Sequence, residues 1–170
     1  MFFRKKKETA PPPPEIQLSV PEIEPLDSGG PRKKILVIDD DPIIVKTLTM
    51  TLTANGYKVV SAADASAGLS IMRQEKPDLM LVDITFPPDV SGGGIGQWDG
   101  FQVTRWLQQT TNKRTPTIII SGSNKPEYTQ KALEAGADGF LPKPIDKQLL
   151  LETIAKALAT NRGEKTDAPS

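Results

Sequence analysis

From Lys33 onward the chain alternates short apolar runs with stretches of helical period, and that alternation permits few folds. Strands and helices in such alternation build βαβ units, with the strands parallel in one sheet and the helices over its faces. Ile35 to Ile38 is continuously apolar, as a strand covered on both faces must be. Val59 and Val60 mark a second strand, Leu79 to Val82 a third, Thr117 to Ile120 a fourth and Gly139 to Leu141 a short fifth. Asp41 is placed to cap a helix with Pro42 at its first position, Ile44, Leu48 and Leu52 on one face, and Gly56 as its stop. Asp64 is placed to cap a second helix through Leu69 and Met72, which must end before Pro77. Further helices are expected from about Gly100 to Gln109, from Pro126 to Ala135 with Gly136 as stop, and after Asp146, where Leu150, Ile154 and Leu158 are spaced for burial. Short connections and right-handed crossovers then give five strands flanked by five helices.

Residues 1–32 read differently. Pro11 to Pro14, Pro21, Pro25, Gly29, Gly30 and Pro31 forbid continuous helix, and few large apolar side chains are available to bury. This segment is expected to be a disordered or semi-rigid basic, Pro-rich arm, as are residues 161–170 a disordered tail. Ile16, Leu18, Val20, Ile23 and Leu26, spaced among acids, leave room for a short partner-binding segment within the arm. Arg4 to Lys7 form a basic run with no apolar segment of signal-peptide length after it, so it is no secretion signal. No stretch approaches the roughly 20 apolar residues needed to span a bilayer. The formal charge is zero, which gives no reason to expect nucleic-acid binding. The chain has no cysteine, which fits a reducing, cytoplasmic setting, and no histidine. A Ser-His-Asp triad, a His-ligated metal and a phosphohistidine on this chain are thereby excluded.

The ends of the apolar runs carry the chemistry. Asp39 and Asp40 follow the first, Asp83 the third and Ser121 the fourth, while Lys143 lies just past the fifth between Pro142 and Pro144. In an open parallel sheet, ligands bind in the crevice at the carboxyl ends of the strands, so these scattered residues converge on one site. Adjacent carboxylates repel and lose hydration unless a cation neutralises them, and a hard cation such as magnesium suits oxygen ligands. Asp83 could ligate that metal or act as a nucleophile toward phosphorus. Ser121, with Gly122 beside it, could donate to a phosphoryl oxygen, and the Lys143 ammonium could neutralise phosphoryl charge. The Lys143-Pro144 bond is a candidate for the cis isomer. Taken singly, each of these residues has a plainer reading as a helix cap, a solvated acid or a turn residue.

Taken together, and in order, they form a pattern. Ile35-Leu36-Val37-Ile38-Asp39-Asp40-Asp41-Pro42, Leu81-Val82-Asp83, Asp99-Gly100, Ile120-Ser121-Gly122 and the run Ala135 to Pro144 make residues 33–160 resemble the receiver domain of bacterial two-component response regulators. The resemblance implies a flavodoxin-like α/β fold, a five-stranded parallel sheet of order 2-1-3-4-5 flanked by five helices. It implies that Asp83 accepts a phosphoryl group and that Asp39, Asp40 and Asp83, with the backbone carbonyl of Thr85, hold Mg2+. It further implies that Ser121 and Lys143 bind phosphoryl oxygens and that Ser121 and Phe140 act as the switch. Thr85 and Ser123 match positions that tune the lifetime of the phosphoryl group. The implied partners are a sensor histidine kinase or phosphotransfer protein, a downstream protein target and, on phosphorylation, a second copy of the chain. No output domain follows Gly163 in this sequence, so output is expected to act in trans. On this reading the chain is a phosphoacceptor regulator rather than an enzyme acting on a separate substrate.

The pattern is broken once. Between Pro87 and Asp99 runs a glycine-rich stretch, residues 88–98, where receivers have a much shorter link. Gly94, Gly96 and Gly100 imitate a nucleotide-binding fingerprint, but the spacing is not G-x-G-x-x-G. The stretch is expected to be a lid or partner-contact loop anchored by Trp98. Two other functions remain open from sequence. A haloacid-dehalogenase-like phosphohydrolase would use Asp39 as nucleophile and Asp41 as acid/base, leaving Asp83 unexplained. A phosphorylation-independent interaction module would keep the fold alone.

Overall fold

The structure, a computed structural model, describes residues 31–85, 99–110, 114–123 and 125–163. Residues 1–30 of the expected arm, the 88–98 insertion with Trp98, and residues 164–170 of the expected tail lie outside the described residues. In chain order the elements are β1 (Lys34–Ile38), α1 (Pro42–Ala54), β2 (Lys58–Ala62), α2 (Ala65–Glu75), β3 (Leu79–Asp83), α3 (Gly100–Thr110), β4 (Thr117–Ser121), α4 (Pro126–Glu134), β5 (Gly139–Pro142) and α5 (Lys147–Gly163). The strands form one parallel sheet in the order β2-β1-β3-β4-β5, the flavodoxin-like arrangement the resemblance implied.

Because successive strand residues point to opposite faces, each strand feeds two cores. Ile35 and Val37 of β1, Leu79 and Leu81 of β3, and Ile118 and Ile120 of β4 pack with Leu48 and Leu52 of α1 and with Leu150 and Ile154 of α5. Their neighbours Leu36, Ile38, Met80 and Val82 face the other way, against Leu69 and Met72 of α2 and Val103 of α3. Ile84 and Ile119 meet Ala132 of α4 in a third cluster on that same side, which Phe140 adjoins. Strands β1, β3 and β4 are therefore buried on both faces, and continuous apolar runs mark them in the sequence. Edge strand β2 is only partly covered, with Lys58 and Ser61 exposed around half-buried Val59 and Val60, which is why those two valines alone signalled it.

The helix boundaries follow local chemistry. Asp41 accepts hydrogen bonds from the N–H groups of Ile43 and Ile44, at 2.8 and 3.4 Å, and so caps α1. Asp64 accepts from Ala67 N–H at 2.7 Å and caps α2. Lys76 closes α2 in the left-handed region at φ 46°, its N–H still donating to Met72 O, and Pro77 beyond it has no N–H to continue the helix. Gly56 and Gly136 take positive φ after α1 and α4. Helix α5 runs to Gly163, past the boundary at residue 160 read from sequence, with no helix breaker in between. Asp41→Ala should lower stability by about 1 kcal/mol through loss of the cap. Urea unfolding of the variant checks this.

Candidate functional site

All five strands run the same way, so their carboxyl ends share one rim of the sheet, and backbone bonds continue the pairing just past it. Asp39 N–H donates to Ala62 O at 3.1 Å, Ile84 N–H to Ile120 O at 3.1 Å and Lys143 N–H to Ser121 O at 2.6 Å. The site residues thus sit on sheet backbone rather than on free loops. The Lys143-Pro144 bond is cis, as expected.

Asp39 and Asp83 are buried to 1% and 3% side-chain exposure, while Asp40 is exposed. The Lys143 ammonium lies between the two buried carboxylates, 2.8 Å from Asp39 Oδ2 and 3.1 Å from Asp83 Oδ1. Each remaining carboxylate oxygen has its own partner. Asp41 N–H donates to Asp39 Oδ1 at 2.9 Å, and Asp83 Oδ2 accepts from both the N–H and the hydroxyl of Thr85, at 3.1 and 2.8 Å. Asp83 Oδ1 is different. It has the ammonium's charge nearby but no donor in hydrogen-bond geometry, and it is fully buried.

Burial pushes the Asp39 carboxyl above its ordinary value, and the charge of Asp83 adds to that, against the hydrogen bonds from Lys143 and Asp41 that favour the ionised form. Burial works against the charge on Lys143 too, yet its contacts with Asp39 and Asp83 prevail and raise its pKa. The asymmetry has a simple origin. For Asp39 burial outweighs its hydrogen bonds, whereas for Lys143 two carboxylate partners outweigh burial.

Carboxylate oxygens of Asp39, Asp40 and Asp83 lie within 4.8 Å of one another. Oxygen ligands of magnesium lie about 2.1 Å from the ion and so within about 4.2 Å of each other. At up to 4.8 Å the three carboxylates stand slightly wider than that, so they could hold a hard divalent cation once drawn in by a few tenths of an ångström. Ser121 is buried, and its Oγ accepts from Ser123 N–H at 3.0 Å, which leaves the hydroxyl proton available for donation. Phe140 is half-buried against Ile84, Ile119, Ala132 and Ala137, beside Phe101 and Tyr128.

The sequence model of the response regulator receiver domain matches residues 35–155. The chain belongs to that family. Among relatives of this receiver domain, the protein PilH of Pseudomonas aeruginosa is 35% identical over 127 residues, which are 74% of this chain and 98% of PilH. The transcriptional regulatory protein AfsQ1 of Streptomyces coelicolor is 33% identical over 136 residues, 80% of this chain and 56% of AfsQ1. The chain thus spans nearly all of PilH but only about half of AfsQ1, and 26% of the Escherichia coli regulator GlrR. Of the solved structures, the chemotaxis protein CheY4 of Vibrio cholerae superposes with a TM-score of 0.64 at 28% identity, covering 75% of this chain and 99% of CheY4. A CheY-like receiver domain protein from Methanospirillum hungatei gives 0.67 at 29%, covering 79% and 99%.

The structure brings Asp39, Asp40, Asp83 and Lys143 together, with Ser121 on the neighbouring strand end and Thr85 hydrogen-bonded to Asp83. Two features escaped the sequence. The pairing of Lys143 with Asp39 spans most of the chain, and only the sheet order reveals it. Gly100 approaches the backbone of Asp83, whereas the Asp99-Gly100 pair reads in sequence only as part of a motif. Among the described residues, no helix is long and apolar enough to cross a membrane.

Proposed function

We propose that the chain is a phosphorylation-controlled signalling switch in which Asp83 is the phosphoacceptor. The observation that carries this reading is the gathering of Asp83 with Asp39, Asp40 and the Lys143 ammonium, 3.1 Å from Asp83 Oδ1, at the shared strand rim. The ammonium that pairs with this carboxylate would in turn meet the oxygens of a phosphoryl group joined to it. Thr85 meanwhile holds the other oxygen with two hydrogen bonds and sets the carboxylate's orientation.

In the transfer step, Asp83 oxygen attacks phosphorus, the O–P bond forms, and the N–P bond of a donor phosphohistidine breaks, its electron pair returning to the imidazole. The donor histidine belongs to a partner, a sensor kinase or phosphotransfer protein, since this chain has none. Asp39, Asp40, Asp83 and the Thr85 carbonyl would hold Mg2+, which when bound supplies positive charge to the phosphoryl oxygens. Lys143 neutralises further charge as it grows on those oxygens, and the Ser121 hydroxyl donates to one of them. Once Asp83 is phosphorylated to an acyl phosphate its charge changes, so Lys143 must redistribute between Asp39 and the phosphoryl group. Ser121 and its Ser123 contact shift with it, and Phe140 repacks against the Ile84–Ala132 cluster, altering a protein-binding surface.

Incubation with Mg2+ and an acyl phosphate, followed by mapping of the label, tests the assignment. Label on Asp83 supports it. Label on Asp39 would reverse it in favour of the phosphohydrolase, in which Asp41 would serve as acid/base rather than as the cap of α1.

Acid should compete with the metal. Because Asp39 has a raised pKa, it takes up a proton at a higher pH than an ordinary aspartate. Mg2+ affinity is therefore expected to start falling at a higher pH than a site of ordinary aspartates would show, and isothermal titration at descending pH measures this. Affinity that holds steady down to the ordinary aspartate range would count against Asp39 as a ligand.

A further inference from the structure

Gly100 opens α3 and lies against the backbone of the strand that presents Asp83. Its N–H donates to Ile84 O at 2.9 Å. A Cβ added at this position would overlap the Asp83 carbonyl oxygen and stand 3.0 Å from both the Asp83 carbonyl carbon and Ile84 Cα. Backbone atoms of a central strand cannot rotate aside. At Gly68 and Gly139, by contrast, an added Cβ would meet side chains, those of Ile38 and Thr153.

Helix α3 is not free to retreat either. Val103 is fully buried among Met80 and Val82, and Phe101 packs beside Ile84 and stacks on Tyr128 of α4 with ring centroids 6.0 Å apart and planes 5° from parallel. The buried Thr104 hydroxyl donates to Gly100 O at 2.7 Å. Gln102 N–H donates to Asp99 Oδ1 at 2.8 Å and Asp99 N–H to Gln102 Oε1 at 3.3 Å, a reciprocal pair of the capping-box kind that locks the first turn. Helix start and strand end are thus pressed together with room for a hydrogen atom and nothing larger.

We infer that Gly100 is a positioning residue. Its missing Cβ lets α3 seat on the Asp83–Ile84 peptide, and that seat sets where the Asp83 carboxylate stands relative to Lys143 and Asp39. Asp83 has no freedom to compensate, since its side chain is held by Thr85 and by the ammonium. Displacement of reacting atoms by about 1 Å can slow a reaction about a hundredfold. The rate readout rests on the phosphoacceptor reading, whereas the seat itself does not.

The test compares Gly100→Ala with Gly139→Ala, whose Cβ meets the Thr153 methyl carbon at 2.7 Å and so strains packing away from Asp83. Two quantities are measured on each folded variant: the phosphorylation rate with an acyl phosphate at saturating Mg2+, and the Asp83–Lys143 separation in a crystal structure. For Gly100→Ala the saturating rate should fall by about tenfold or more, with the half-saturating donor concentration unchanged, and the separation should lengthen from 3.1 Å. Gly139→Ala should lose stability while keeping both values. A separation unchanged in Gly100→Ala overturns the inference whatever the rate, as do rates that merely track thermal stability across the two variants. Should Gly100→Ala fail to fold, Asp99→Ala loosens the helix start without adding an atom. A longer separation and slower transfer in that variant support the seat, and unchanged values overturn it. If the parent chain takes up no phosphoryl group, the phosphoacceptor reading fails, and the crystallographic separation still decides the role of Gly100.

Discussion

Asp83→Asn should reduce phosphate uptake from an acyl phosphate to background while leaving the fold intact. The substitution preserves shape and removes the charge and the lone pairs of the buried oxygen that has no donor. Thr85 can still donate to the remaining oxygen, and Lys143 keeps Asp39 at 2.8 Å. Loss of the repulsion between Asp83 and Asp39 offsets the lost ion pair, so thermal unfolding should stay cooperative with a midpoint close to the parent's. Intact-mass spectrometry after incubation with donor and Mg2+ reads the outcome directly. Phosphate on the variant, at Asp39 or elsewhere, would sink the assignment of Asp83.

Lys143→Met should destabilise the protein by roughly 2–3 kcal/mol at neutral pH without Mg2+, and most of the loss should be conditional. The methionine keeps much of the apolar stem and deletes the ammonium that neutralises two buried carboxylates. Removing one partner of a buried pair leaves the other charge uncompensated, and the 21% exposure of Lys143 moderates the effect. Acid should relieve it. Asp39 has a pKa raised in the folded state, so the folded protein binds its proton more tightly than the unfolded chain does, and the penalty of its charge is present above the folded pKa. As pH falls through that value Asp39 is neutralised and the gap between variant and parent should narrow. Mg2+ should narrow it as well, because a cation bound to the folded state replaces the missing charge. Urea unfolding across pH, with and without Mg2+, checks both expectations. A deficit independent of pH and metal would mean that Lys143 acts only through packing.

The elements were legible wherever burial is complete. Strands β1, β3 and β4 carry unbroken apolar runs because helices cover both faces, and Asp41, Asp64, Pro77 and Gly136 mark helix ends by chemistry that needs no tertiary context. Edge strand β2 was marked by two valines alone, since a partly covered strand need not be apolar throughout. The strand-end residues could be named as a set because a parallel sheet gathers its carboxyl ends, but spacing along the chain says nothing of which side chains touch.

Residue order alone therefore determined the α/β alternation and the order of the motif residues. Which oxygen of Asp83 has no donor, that one ammonium serves both buried aspartates, and that Gly100 is pressed on the Asp83 backbone were decided only by tertiary structure. Propensities and caps act over a few residues and are written locally. Contacts between Asp39 and Lys143, or between α3 and the end of β3, depend on how layers pack at sub-ångström tolerance, and close-packed interiors set those distances collectively.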